Sequence, residues 1–204
     1  MGDVPSAQRK FGDADARLVT LLAGQAASAV HNARLLEETR RLASTDALTG
    51  VANRRSLLAA GETELSRARR FVHPLTALML DIDHFKLVND AYGHAVGDQM
   101  LLAFAQCCHR EIRDIDILGR YGGEEFVILL IETVSAGASI LAERIRAALT
   151  QIAIVTARGP LHIRASIGIT QLRDDDEDLD DLLGRADQAM YAAKQAGRNR
   201  VVVG

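Results

Sequence analysis

The 204-residue sequence contains no tryptophan, only three prolines and only two cysteines. Cys107 and Cys108 are adjacent within a helical pattern, which offers no metal-ligand spacing and suits a reduced interior. No apolar run reaches the roughly 18 residues that a membrane-spanning helix needs, and no signal peptide is visible. We therefore expect a cytoplasmic protein, unless a missing part of a longer chain anchors it to a membrane.

The sequence also lacks an excess of charge of either sign. Its 24 Lys and Arg residues against 27 Asp and Glu residues leave a net charge of -3, which gives no electrostatic reason to expect a nucleic-acid partner. Apolar residues make up 48% of the chain and charged residues 25%, as is ordinary for a soluble globular protein. The length allows one good domain and an extra element.

The extra element is a long N-terminal helix, predicted from Asp15 to about Ala43. Apolar residues recur there at heptad spacing: Val19, Leu22, Ala26, Ala29, Ala33, Leu36 and Ala43. Such a seam predicts a parallel two-stranded coiled coil, although Arg40 falls on it. The alternative is a helix that lies on its own domain. We divide the chain into this signalling helix, residues 1–44, and a main domain, residues 45–204.

In the main domain, strands and helices alternate irregularly around one clear hairpin. The pattern predicts, in order, a helix from about Arg54 to Phe71, a buried strand Leu75–Asp81, a short helix, a turn Tyr92–Asp98, a helix to about Ile112, a helix Ser135–Leu149, strands Ile152–Thr156 and Leu161–Thr170, a helix from about Leu179 to Gln195 and a strand Val201–Val203. This order indicates an α+β fold with a central, mostly antiparallel sheet flanked by helices.

The hairpin carries the strongest chemical signal. Gly122 and Gly123 predict a tight turn, where glycine tolerates positive φ and lets a bulky ligand approach the backbone. Glu124 and Glu125 follow directly, and a divalent cation would relieve the repulsion between these two carboxylates. Asp81 ends the buried strand, and a strand-end Asp with a turn Glu can hold Mg²⁺ between protein and triphosphate. We therefore expect a catalytic metal and phosphate site at this turn.

Three further residues suit a nucleotide. Lys86 can meet the charge of a triphosphate, while Asn89 and Asp98 have the donors and acceptors that read a purine edge. Taken singly, a strand-end Asp is more often a cap and a lone Lys is more often exposed to solvent. It is their combination with the hairpin that favours a nucleotide site.

Several stretches carry a family resemblance, in order and at the family's spacing: Asp46–Gly50, Asn53–Arg55, Asp81–Lys86, Asn89–Asp90, Gly93–His94, Gly97–Asp98, Arg120–Phe126, Ala165–Ile169, Ala186–Tyr191, Ala193–Lys194 and Gly197–Asn199. Through them, the chain from about Thr45 to Val203 resembles a GGDEF-family diguanylate cyclase in the GGEEF variant. Val51-Ala52 departs from the Leu-Pro that is usual in the family. The segment from Phe11 to Leu42 resembles the closing helix of a GAF sensor domain.

The resemblance implies a nucleotidyl-cyclase or palm-like fold and the condensation of two GTP into cyclic di-GMP and two pyrophosphates. Because each domain would hold one GTP, it also implies a homodimer. The implied ligands of Mg²⁺, or Mn²⁺, are Asp81, the Ile82 carbonyl, Glu124 and Glu125. Glu124 would also accept the proton, and Lys86 would stabilise the transition state. The implied substrate-binding residues are Phe85, Asn89, His94, Asp98, Gly122, Gly123, Lys194 and Arg198.

A second site is suggested by the RxxD form of Arg113–Asp116, which precedes the glycines at the family's spacing for an inhibitory product site. Arg113 and Asp116 would bind cyclic di-GMP, and Arg144 resembles the secondary arginine of that site. The alternative is a helix-end ion pair. Two other functions stay open. One is a non-catalytic effector that binds cyclic di-GMP. The other is a polymerase-like nucleotidyl transferase, but the sequence lacks the basic groove that would favour it.

Overall fold

A computed structural model describes Gln25 and residues 44–204. The predicted N-terminal helix, its coiled coil and the GAF-like segment lie outside the described residues, apart from Gln25. Among the helices that are described, none has the length and hydropathy that crossing a bilayer requires.

Residues 44–204 form eight strands and five helices. The strands are β1 Ala52–Asn53, β2 Leu75–Ile82, β3 Ile117–Arg120, β4 Glu125–Ile131, β5 Ala153–Thr156, β6 Gly159–His162, β7 Ala165–Gln171 and β8 Val201–Val203. The helices are α1 Arg54–Phe71, α2 Phe85–Tyr92, α3 His94–Glu111, α4 Ser135–Gln151 and α5 Leu179–Gln195.

Six strands form the central sheet in the order β1-β3-β4-β2-β7-β8. The middle strand β2 runs antiparallel to both β4 and β7, and β3 runs antiparallel to β4. Parallel pairs occur only at the two edges, between β1 and β3 and between β7 and β8. Strands β5 and β6 pair with each other in a separate two-stranded sheet. The predicted α+β fold with a central, mostly antiparallel sheet is therefore confirmed.

Helices cover both faces of the sheet, and β2 shows why. All eight of its residues are buried, because successive side chains enter two different cores. Leu78 and Leu80 pack with Phe104 of α3, in the core that also contains residues of α4. Ala77 and Met79 join the core of α1 and α5 on the other face. By the same alternation, residue 81 faces α5.

Helix α5 lies unusually close to β7. A Cβ atom at Gly168 would stand 2.1 Å from the carbonyl oxygen of Ala186 and 2.2 Å from the backbone nitrogen of Met190. No other residue fits there without moving the helix. The helix begins at its predicted residue, where the Asp178 side chain accepts a hydrogen bond from the Asp181 N–H, and Gly197 follows its end with φ +111°. This packing places the end of α5 beside the end of β2.

Two predicted boundaries are wrong. The expected turn Tyr92–Asp98 is helical from His94 onward, because Gly93 alone, at φ +82°, makes the break between α2 and α3. The expected strand Leu161–Thr170 is two strands, since β6 pairs with β5 whereas β7 enters the central sheet beside β2. The apolar run continues through this change of sheet because Ile163, between them, is buried.

Candidate active site

Three neighbouring strands of the central sheet start or finish at the same end of the sheet. Asp81, near the end of β2, lies directly opposite Glu125 on β4 and Ser166 on β7. Side chains directly opposite in antiparallel strands share a face, with Cβ atoms about 4.5–5.5 Å apart. The next residue, Ile82, donates its N–H to the Glu124 carbonyl oxygen at 3.3 Å. The fold thus brings the predicted metal ligands of β2 to the hairpin turn.

The Asp81 carboxylate is held in a buried, charged setting. Its residue is 6% exposed, and the Lys194 ammonium at the end of α5 donates to its Oδ2 at 2.8 Å. Burial raises the pKa of Asp81 to about 6; the Lys194 contact lowers it, while the charges of Glu124 and Glu125 raise it further. Negative charge is therefore concentrated here, and a cation beside Asp81 is favourable.

The donor set suits a hard divalent cation. Asp81, Glu124 and the Ile82 carbonyl offer only oxygen ligands, which Mg²⁺ and Mn²⁺ prefer. Within residues 44–204, no three His, Cys, Asp or Glu side chains converge closely enough to hold a metal ion. One or two carboxylates suffice for Mg²⁺ when substrate phosphates complete the shell. The residues present therefore fit a metal that binds together with a nucleotide.

The two glycines of the turn matter for the room they leave around the backbone and not for their backbone angles. Neither Gly122 nor Gly123 has a positive φ, so the turn does not use the tolerance of glycine for such angles. A Cβ atom at Gly122 would lie 2.5 Å from the Oε2 atom of Glu125, whose side chain folds over it. A Cβ atom at Gly123 would have nothing within 4 Å. Open access to the turn is thus found at Gly123, whereas Gly122 accommodates the Glu125 carboxylate.

The side chain of Arg120 holds the hairpin turn by hydrogen bonds. The Nε and Nη2 atoms of Arg120 donate to the Gly123 carbonyl oxygen at 3.1 and 2.7 Å, and Nη1 donates to Asp46 at 3.1 Å. The Asp46 carboxylate also accepts from the Thr49 N–H and hydroxyl. Burial raises the pKa of Asp46, but these bonds outweigh it and leave the pKa lowered. Neither Asp46 nor Arg120 was assigned a site role from sequence, since only their contact across 74 residues reveals it.

The predicted purine-binding residues lie where α2 packs on α3. A Cβ atom at Gly97 would lie 2.0 Å from Asn89 Oδ1 and 3.2 Å from the Phe85 ring, so glycine allows the close packing. The Asn89 Oδ1 atom is buried and has no hydrogen-bond partner among the described residues. His94 and Asp98, in the first turns of α3, are exposed. A buried acceptor without a partner is unfavourable, and an N–H donor of a ligand would satisfy it.

The comparisons with known proteins agree with this geometry. The profile of the family described as "Diguanylate cyclase, GGDEF domain" matches residues 43–200. The chain belongs to this GGDEF family. It is 40% identical over 169 residues to a diguanylate cyclase from Vibrio cholerae, which covers 83% of the chain and 52% of that relative. Across the curated relatives compared, the chain spans from 25% to 54% of their length.

Solved GGDEF structures share the fold. The crystal structure of the coiled coil and GGDEF domain of DgcB from Caulobacter crescentus, in complex with c-di-GMP, superposes with a TM-score of 0.85 at 29% identity, covering 92% of this chain and 99% of that one. The active GGEEF domain of a diguanylate cyclase from Vibrio cholerae superposes with a TM-score of 0.70 at 40% identity, covering 74% and 96%.

The RxxD residues of this GGDEF domain lie at the opposite end of the β3–β4 hairpin from the glycines. The Asp116 carboxylate accepts from the N–H groups of Arg113 at 3.0 Å and Ile131 at 3.1 Å, and so closes the turn into β3. Arg113 is exposed, and Arg144 makes an ion pair with Glu111 at the end of α3. The alternative considered from sequence, an ion pair of the RxxD residues, is not formed, and Arg144 pairs with Glu111 instead.

The remaining predicted residues fall near the same edge. Lys86 is exposed in the first turn of α2, directly after the end of β2. Arg198 is exposed in the loop after α5, and the N–H of its neighbour Asn199 donates to the Asp83 carboxylate at 2.8 Å. Asp83 and Asn199 were not singled out from sequence. The available signal was the position of Asp83, two residues after Asp81 and directly after the strand.

Proposed function

We propose that the chain is a GGEEF-variant diguanylate cyclase, which condenses two GTP into one cyclic di-GMP and two pyrophosphates. The observation that carries this proposal is the meeting of Asp81, the hairpin glutamates and Lys194 at one edge of the sheet in a GGDEF family member. Carboxylates beside an ammonium suit a metal-bound triphosphate. The name of the Vibrio cholerae relative supports the same activity.

The roles of the residues at the metal end follow from their chemistry. Asp81, Glu124 and the Ile82 carbonyl would hold Mg²⁺ or Mn²⁺, and Glu125 stands beside them. The bound metal would supply neutralisation of charge on the phosphates. Glu124 accepts the proton of the 3′-hydroxyl as that oxygen bonds to the α-phosphorus of the second GTP. The bond from this phosphorus to the pyrophosphate oxygen breaks, and Lys86 stabilises the charge that develops there.

The rest of the site orients the nucleotide. Asn89 and Asp98 would bind the guanine and His94 the substrate beside them, because Asn89 offers a buried acceptor and Asp98 an exposed carboxylate. Lys194 and Arg198 would contact the triphosphate, as would the backbone of Phe85. The open side of Gly123 leaves space for phosphates. The nucleotide thus extends from the α2–α3 corner to the end of β2.

Two copies of the chain are needed, because each domain would hold one GTP and the reaction joins two. We assign this pairing to the predicted coiled coil of residues 1–44, which raises the effective concentration of the partner domain 45–204. A GAF-type sensor preceding that helix would supply the signal. The DgcB structure, which comprises a coiled coil and a GGDEF domain, supports such an arrangement.

We also propose that product inhibits the enzyme through Arg113, Asp116 and Arg144. The exposed guanidinium of Arg113 offers a planar fork for phosphate or guanine. Asp116 uses one acceptor position on each oxygen for a backbone N–H, and a carboxylate has further lone pairs for guanine N–H groups. Arg113→Ala should relieve inhibition by added cyclic di-GMP without lowering the initial rate. Unchanged inhibition would exclude this site.

The activity is tested by incubating the purified dimer with GTP and Mg²⁺ and separating the nucleotides. We expect cyclic di-GMP from the wild type and none from Glu124→Gln. Glu132→Gln is the matched control, because Glu132 is an exposed carboxylate at the other end of β4, paired with His73. A confirmed dimer that forms no cyclic di-GMP from GTP would overturn the proposal. If that protein still binds cyclic di-GMP, the effector function replaces it.

A further inference from the structure

The reaction described above leaves a second buried carboxylate unused. Asp83 is 8% exposed, and both of its oxygens accept hydrogen bonds. Its Oδ1 accepts from the Ser166 hydroxyl of β7 at 2.7 Å, and its Oδ2 accepts from the Asn199 N–H at 2.8 Å. A buried carboxylate is unfavourable unless it is fully bonded, so these two bonds determine where the side chain lies. One of them reaches the loop that carries Arg198.

That loop has an unusual backbone. Gly197, Arg198 and Asn199 have φ values of +111°, +61° and +44°. For the two residues with a Cβ atom, this left-handed region is sparsely populated and persists only where surrounding contacts impose it. The Arg198 N–H donates to the Ala193 carbonyl at 3.0 Å. Asn199 is held by Asp83 through its N–H, and its side-chain oxygen accepts from Arg146 at 3.3 Å. Strained backbone of this kind concentrates at ligand clamps.

We infer that Asp83 is a positioning residue, which holds the loop 197–199 so that Arg198 is directed at the phosphates of the bound nucleotide. The inference rests on the proposed function. Asp81 lies near the end of β2 and Asp83 in the turn directly after it, so one short segment supplies both the metal ligand and the anchor of the phosphate-binding loop. Lys194, which contacts Asp81, precedes that loop by one turn of α5. The positions of the metal ligands and of the phosphate-binding residues are therefore fixed relative to each other.

The test compares three substitutions around this carboxylate. Asp83→Ala removes the anchor of Asn199 and should raise the KM for GTP about tenfold, the effect of losing one charge-assisted hydrogen bond, with a smaller change in kcat. Ser166→Ala removes only the bond to β7 and should raise KM less than Asp83→Ala does, because the bond to the Asn199 N–H remains. Asp83→Asn should restore KM, because its oxygen can accept from Asn199 while its amide donates to the Ser166 hydroxyl.

A double-substitution cycle separates positioning from general damage. If Asp83 acts through Arg198, Asp83→Ala should add little to the KM effect of Arg198→Ala. Additive effects, or an unchanged KM in folded Asp83→Ala, would overturn the inference. If Asp83→Ala does not fold, hydrogen exchange of the wild type provides the test. The Asn199 amide should be protected from exchange by its bond to Asp83. Exchange as fast as in an open loop would refute the proposal that Asp83 holds this loop.

Binding of GTP keeps the two proposals apart. Equilibrium dialysis of GTP with Ca²⁺ measures affinity without requiring turnover, and it should show the same order of variants as KM. A wild type that binds GTP but makes no cyclic di-GMP refutes the proposed function alone. A productive wild type whose GTP affinity is unaffected by Asp83→Ala refutes the positioning role alone.

Discussion

The close contact between α5 and β7 leads to the strongest stability prediction. Gly168→Ala would place a Cβ atom 2.1 Å from the Ala186 carbonyl oxygen and 2.2 Å from the Met190 nitrogen. Both are backbone atoms of one helix, so relief requires α5 to move by about 1 Å. Overpacking of cores typically costs about 1–3 kcal/mol, and we expect this case at or above about 3 kcal/mol because no flexible side chain can yield. That cost corresponds to a fall in Tm of about 6–12 °C.

Urea unfolding followed by circular dichroism measures this change. Gly184→Ala on the same helix is the matched control, because Gly184 is exposed and its Cβ atom would have nothing within 4 Å. Alanine there should stabilise the helix by about 0.5–1 kcal/mol. The reasoning is refuted if Gly168→Ala folds with wild-type stability. Because α5 carries Lys194, the folded fraction of Gly168→Ala should also bind GTP more weakly.

Three further predictions concern the edge of the sheet. Gly123→Ala should keep wild-type stability, because position 123 has open space and no positive φ. The variant should bind GTP at least about tenfold more weakly, because the phosphates are placed beside this residue. Unchanged affinity for GTP would exclude phosphates from this position. Lys194→Met should raise the affinity for Mn²⁺ in the absence of nucleotide, because the ammonium no longer competes for Asp81. The same variant should bind GTP more weakly. Calorimetry measures both affinities, and weaker Mn²⁺ binding would contradict the competition. In EDTA, Asp81→Asn should stabilise the fold by up to about 3 kcal/mol at pH 8, because the pKa of about 6 exceeds the ordinary 3.8 and each pKa unit corresponds to about 1.4 kcal/mol. This penalty is absent below pH 3.8, grows up to about pH 6 and is constant above it, so the gain in urea unfolding should be clearly smaller at pH 5; a gain that does not depend on pH would refute the assignment.

Much of the fold follows from local patterns in the sequence. The bounds predicted for α1, Arg54–Phe71, and α5, Leu179–Gln195, are confirmed because caps and apolar spacing agree there. The buried strand ending near Asp81 is confirmed for a similar reason, since eight buried residues make a continuous apolar signal. Where one residue makes the break, as Gly93 does, the pattern predicted a longer turn.

The contacts of the site depend on tertiary packing and could not be predicted in the same way. Glycine at 122 and 123 correctly marked the hairpin, but neither residue has a positive φ and the space is unequal at the two positions. The contact between Lys194 and Asp81 depends on how closely α5 approaches β7, and that distance is decided at Gly168. No local pattern reports the distance between a helix and a strand that are far apart in sequence.

The central claim is that two GTP molecules are joined at the edge where Asp81 meets the hairpin. A phosphorus NMR time course of GTP with Mg²⁺ and the purified protein tests it most directly, because every phosphate is observed at once. We expect two pyrophosphates for each cyclic di-GMP, and no change in the spectrum of GTP with Glu124→Gln. Formation of GDP with inorganic phosphate, or consumption of GTP without cyclic di-GMP, would contradict the claim.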